Sequence, residues 1–122
     1  MATILVVDDA NLTHMLMEVM IQRLNHTALF ADNGEEALEI LATNPVDLVI
    51  SDIKMPYMDG LKLLDKLRAD EHYSQLPVVI MTASGLEETY HKAASRGATA
   101  FLNQPFSSWD LARVVTECLG QG

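Results

Sequence analysis

Ile4-Leu5-Val6-Val7-Asp8-Asp9 sets four consecutive apolar residues directly against two carboxylates. The pattern returns in Leu48-Val49-Ile50-Ser51-Asp52, and a third run, Val78-Val79-Ile80-Met81, ends in Thr82. A strand that is apolar without alternation belongs to a parallel sheet covered on both faces. Between these runs the periodicity is helical, so strand-like and helix-like segments alternate five times. Such alternation implies an α/β fold, a doubly wound parallel sheet with right-handed crossovers. Ligands of such sheets sit outside the carboxyl ends of the strands, at the switch point. Asp8, Asp9, Asp52 and Thr82 are therefore expected at one edge. Three carboxylates and a hydroxyl suit a hard divalent cation and a phosphoryl group.

Working outward, the pattern predicts strands over about 3–7, 27–31, 47–51, 77–81 and 98–102. Helices are expected over about 11–25, 35–43, 60–69 and 86–96, with a last one from 107 or 108. Asn11 reads as the N-cap of the first helix, and His14, Glu18, Gln22 and Asn25 as one solvent stripe on a mostly apolar helix. Asp32-Asn33-Gly34 makes a turn, and Gly97 is a natural helix stop. Ala83-Ser84-Gly85 is small enough to approach the site. Ala37, Leu38 and Leu41, then Leu61, Leu64 and Leu67, then Leu111, Val114, Val115 and Cys118, are the expected buried faces. The seven methionines read as packing and His14, His26, His72 and His91 as surface residues. Trp109 lies off the apolar stripe of the last helix. It either packs on Phe106 or stands exposed for a partner.

The 122 residues suit one domain, 1–122, with nothing left over for an effector domain. Net charge of −9 argues against nucleic-acid binding, which needs clustered Lys and Arg. No apolar run approaches the ~20 residues of a membrane span. Met1 runs straight into a strand, so no secretory signal is expected, and the short tail Leu119-Gly120-Gln121-Gly122 suggests a complete protein. A lone cysteine, Cys118, suits a reducing cytoplasm.

Carboxylates gathered at one edge repel. At ~4 Å and an effective dielectric of ~20, each pair costs ~4 kcal/mol. Only Lys54 brings positive charge to the immediate loops. A cation resolves the repulsion, and Mg²⁺ is the natural one because it takes oxygen ligands and keeps waters and phosphate oxygens. A carboxylate beside it can attack a phosphoryl group, with Thr82 as a donor to the transferred group.

Four segments together resemble a response-regulator receiver domain of two-component signalling, of the stand-alone chemotaxis type. They are Ile4 to Asp9, Asp52-Ile53-Lys54-Met55-Pro56-Tyr57-Met58-Asp59-Gly60, Pro77 to Ala83, and Phe101-Leu102-Asn103-Gln104-Pro105-Phe106. The resemblance implies a flavodoxin-like (βα)5 fold with strand order 2-1-3-4-5. It also implies that Asp52 is the phosphoacceptor, Asp9 a direct Mg²⁺ ligand, Asp8 one acting largely through water, and the Lys54 carbonyl a further ligand. Thr82 would contact the phosphoryl group and Phe101 would be the aromatic switch residue. A cis peptide at Gln104-Pro105 is implied as well. A histidine kinase or phosphotransfer protein would be the donor, and a protein target would meet the face of helix four, strand five and helix five. The domain would signal rather than act as an enzyme, beyond weak self-phosphotransfer and self-dephosphorylation.

One position departs from the family. Gln104 stands where the family has lysine before the strand-five proline. A glutamine amide donates a hydrogen bond without charge, and charged hydrogen bonds are roughly twice as strong. Two functions from different classes follow: a phospho-switch, or a fixed binding adaptor that has lost the switch. A domain cut from a longer regulator is a third possibility. A flavodoxin-like electron carrier shares the strand pattern, but a flavin phosphate would need a neutral loop where Asp8-Asp9 stands.

Overall fold

The computed structural model describes residues 1–83 and 87–120, the side chain of Glu87 excepted. Ser84, Gly85 and Leu86, and with them the expected flexible loop, lie outside the described residues. In chain order the elements are β1 (Thr3–Val7), α1 (Asn11–Arg23), β2 (Thr27–Ala31), α2 (Gly34–Thr43), β3 (Leu48–Asp52), α3 (Gly60–Ala69), β4 (Val78–Thr82), α4 (Glu87–Ser95), β5 (Ala100–Asn103) and α5 (Ser108–Cys118). The strands pair in parallel in the order β2-β1-β3-β4-β5. This is the doubly wound parallel sheet expected from the alternation, in the flavodoxin-like strand order that the resemblance implies.

Alternation within the apolar strands divides the core in two. Leu5, Val7, Val49, Val78 and Ile80 face one way, onto Leu41 of α2, Leu63, Leu64 and Leu67 of α3 and Ala93 of α4. Ile4, Val6, Leu48, Ile50, Val79 and Met81 face the other way, onto Met17 and Ile21 of α1 and Leu111, Val114 and Val115 of α5. The strands therefore carry no polar face, which is why their sequences read as unbroken apolar runs. Leu38, Leu61 and Cys118 lie at the half-buried margins of these layers.

Several boundaries differ from the sequence pattern. Asp52 and Thr82 each close a strand rather than follow it, because both still pair in register, Asp52 with Met81 and Thr82 with Asn103. The fifth strand starts at Ala100 rather than at Ala98, and α1 ends at Arg23, with Asn25 in the left-handed conformation at φ 64°. Asn11 is the first helical residue; the cap position is Ala10, which offers no side-chain bond. Well-capped helices begin elsewhere, at Asn33, Asp59 and Ser107, whose side chains accept from Glu36, Lys62 and Asp110 amides.

Helix α1 also carries more than a polar stripe on its outer side. Leu12, Met15, Leu16 and Val19 are exposed, because the sheet covers only the arc occupied by Met17 and Ile21. Met15 is thus not a packing methionine, whereas Met17 and Met81 are. Trp109 is exposed, at 77% of its surface, rather than packed away against Phe106.

Candidate functional site

Parallel pairing sets the strand ends level. Val7 lies beside Ser51, Asp52 beside Met81, and Thr82 beside Asn103, so the residues that end or follow each strand gather at one edge. Carboxylate oxygens of Asp8, Asp9 and Asp52 there lie within 4.8 Å of one another. Asp8 and Thr82 are buried, at 2% and 3% exposure, while Asp52 is half-buried and Asp9 exposed. The cluster is thus rooted in the sheet and open on one side.

Two of the three carboxylates are held by local backbone. Asp8 Oδ1 accepts the Ala10 amide at 2.8 Å, and Asp52 Oδ1 accepts the Ile53 amide at 2.8 Å. The second bond fixes Asp52 Oδ1 against the chain just beyond the strand end. Burial raises the Asp52 carboxyl above its ordinary value; the Ile53 amide opposes this, the charges of Asp8 and Asp9 add to it, and Lys54 opposes it. Burial raises Asp8 too, opposed by the Ala10 amide and reinforced by Asp9. Among the described residues no lysine or arginine comes within 4.0 Å of these carboxylates as an ion pair. Three carboxylate oxygens gathered this closely, with the Asp8 and Asp52 carboxyls raised first by burial, fit a small, hard dication.

The loop after β3 is fixed by a glycine. The Gly60 amide donates to the Ile53 carbonyl at 2.7 Å, and a Cβ on Gly60 would stand 2.0 Å from the Asp52 carbonyl oxygen. Only glycine permits that approach, so the backbone carrying Asp52 and Lys54 is pinned by the start of α3.

A cavity of about 420 Å³ opens over this edge, lined in part by Asp52, Lys54, Thr82, Lys92 and Gln104. Gln104 is at the site, as its position in the sequence implies. Its backbone amide donates to the Thr82 carbonyl at 2.7 Å, and its side-chain nitrogen lies 3.9 Å from Met81 Sδ. The Gln104-Pro105 peptide is cis, in agreement with the expectation from resemblance. Thr82 Oγ1 donates to Asn103 Oδ1 at 2.9 Å. Phe101 is half-buried, its ring 4.9 Å from that of Tyr90 in an edge-on contact.

The family model for the response regulator receiver domain matches residues 4–116. The chain belongs to that family. This receiver domain is 32% identical over 121 residues to the chemotaxis protein CheY homolog of Campylobacter jejuni, covering 98% of its own length and 93% of that relative. It is 31% identical over 117 residues to the two-component response regulator ORR7 of Oryza sativa, of which it spans 56% while 95% of the receiver domain is covered. Among solved structures, chemotaxis response regulator CheY4 of Vibrio cholerae superposes with a TM-score of 0.92 at 28% identity, over 98% of this chain and 99% of that one. The protein is thus a signalling domain of two-component systems, similar to stand-alone chemotaxis receivers.

Several residues of this receiver's site escaped the sequence pattern. His14, expected at the surface, is turned inward: its Nε2 lies 2.6 Å from the Asp8 carbonyl oxygen and its ring stacks on Phe30 at 5.0 Å. At the opposite edge of the sheet, away from the site, His26 is also half-buried and accepts the Ala2 amide at Nδ1, 2.9 Å away. Tyr90 and Lys92 lie outside the four quoted segments, and Asn103 lies within the last of them with no role attached to it. The one available signal was alternation, which puts Asn103 two residues beyond Phe101 on the same side of β5.

Proposed function

We propose that this receiver takes a phosphoryl group onto Asp52 from a phosphohistidine of a partner kinase or phosphotransfer protein, with Mg²⁺ held by Asp8, Asp9, Asp52 and the Lys54 carbonyl. The observation that carries the reading is the convergence of three carboxylates within 4.8 Å beneath a cavity bordered by Thr82. Asp52 Oδ2 attacks phosphorus; a P–O bond forms as the P–N bond breaks, and the imidazole leaves with the electron pair and takes up a proton. When bound, Mg²⁺ supplies positive charge that offsets the carboxylates and the transferring oxygens. The Ile53 amide holds the attacking carboxylate in place. Thr82 donates its hydroxyl proton to a phosphoryl oxygen, and Lys54 lends the nearest flexible charge where Gln104 supplies none.

The acyl phosphate then biases an element with two packings. Thr82 moves toward the phosphoryl group, Phe101 follows, and the face of α4, β5 and α5 changes for a protein target. Exposed Trp109 at the start of α5 belongs to that face. No helix among the described residues is long and apolar enough to cross a membrane. The test is incubation with a small phosphodonor and Mg²⁺ followed by intact mass. A gain of one phosphoryl group in the wild type and none in Asp52→Asn supports the reading. No gain under any donor overturns it in favour of a fixed adaptor.

A further inference from the structure

Asn103 holds two hydroxyls on one oxygen. Its Oδ1 accepts Thr82 Oγ1 at 2.9 Å and also the Tyr90 hydroxyl. The three residues come from β5, β4 and α4, so one amide ties together both strands and the helix above them. Strand register puts Asn103 directly beside Thr82. The Tyr90 ring rests edge-on against Phe101, the ring centroids 4.9 Å apart at 82°. An amide carbonyl has two lone pairs, and both are used here.

A threonine hydroxyl has one proton. While Thr82 gives it to Asn103, it cannot give it to a phosphoryl oxygen on Asp52. Resting on the phosphoacceptor reading above, we propose that Asn103 is a positioning residue that latches the unphosphorylated state. It competes for the Thr82 proton, while the Tyr90 bond to the same oxygen is kept in both states. Phe101 has no hydroxyl of its own, and in this chain Tyr90 brings one from α4 instead. Phosphorylation breaks the Thr82 bond to Asn103 and leaves the Tyr90 bond in place. The latch thereby sets how much of the phosphoryl group's binding is spent on leaving the resting state.

Removing the acceptor makes the active state easier to reach. Asn103→Val suits an exposed strand position, and Asn103→Ala is measured beside it as a second route to the same loss. The assay is a fluorine NMR titration with beryllofluoride and Mg²⁺. Loss of one net hydrogen bond from the resting state corresponds to binding on the order of fivefold tighter. In a Thr82→Ala background the same Asn103 substitutions change nothing, because the latch acts through the Thr82 hydroxyl. That dependence separates a latch from general loosening of β5, which would persist without Thr82. Equal affinity of wild type and both Asn103 variants overturns the latch and leaves the phosphoacceptor reading standing. An unchanged gain in the Thr82→Ala background also overturns it. Failure of the wild type to bind beryllofluoride overturns the phosphoacceptor reading and the latch with it.

Discussion

Replacing Asp52 by asparagine is expected to stabilise the fold, and the margin should depend on pH, salt and Mg²⁺ in ways the cluster dictates. Three carboxylates within 4.8 Å make three repelling pairs, and the substitution removes two of them. At 4.8 Å and an effective dielectric of ~20, each pair amounts to ~3 kcal/mol. Asp9 is exposed, so solvent screening takes away most of its share. A net gain of ~2 kcal/mol is the reasonable scale, or about 8 °C in Tm at roughly 4 °C per kcal/mol for a domain of this size. Asparagine keeps Oδ1 as an acceptor for the Ile53 amide, so the local bond survives. The sign with pH follows from burial, which raises the folded-state values of both Asp8 and Asp52. The folded protein then binds protons more tightly than the unfolded chain, so this contribution is present below the ordinary value of 3.8 and is lost as pH rises through the raised values. The advantage of Asp52→Asn is accordingly full above the raised values, and shrinks as pH falls through them toward 3.8. Added NaCl should shrink it at pH 7. Mg²⁺ at ten times its dissociation constant should stabilise the wild type by ~1.4 kcal/mol and the variant by less. Melting curves in EDTA and in Mg²⁺ measure all of this. A Tm for Asp52→Asn at or below that of the wild type in EDTA at pH 7 would refute the reasoning.

Lys54→Ala should slow phosphorylation by a small phosphodonor roughly tenfold, the scale of one charge-assisted contact. Its effect should fall to near nothing once Gln104→Lys is present, and equal effects in both backgrounds would show that Lys54 does not stand in for the missing charge. Gly60→Ala drives a methyl group against the Asp52 carbonyl and should cost roughly 3 kcal/mol in urea unfolding. Gly34→Ala meets the flexible Met58 side chain instead and should cost ~1 kcal/mol, so a reversed order would contradict the packing. Trp109 fluorescence should change on adding beryllofluoride with Mg²⁺, and an unchanged spectrum with unchanged α4 and β5 amide shifts would favour a fixed adaptor. Burial raises the Cys118 thiol, so alkylation at pH 7 should be slow in the native protein and fast in urea.

Local sequence determined the architecture and the acidic cluster for a simple reason. A strand buried on both faces must be apolar at every position, so the runs ending at Val7, Ser51 and Met81 announce a parallel sheet wherever they occur. Parallel strands also end at a common edge, which brings Asp8, Asp9, Asp52 and Thr82 together without knowledge of any packing detail. Gln104 could be placed at that edge by its motif. What local sequence did not determine was which neighbours complete the site. Asn103 meets Thr82 only through the β4–β5 register, and Tyr90 reaches Asn103 only because α4 lies over β5. His14 turns toward Asp8 because α1 is rotated to bury Met17 and Ile21, and the same rotation exposes Leu12, Met15, Leu16 and Val19. A periodic pattern shows that a helix has an apolar face but not how wide an arc the sheet will cover. That width, like the Gly60 contact with the Asp52 carbonyl, is set by the distance and angle between packed elements, and so it was decided by the tertiary structure alone.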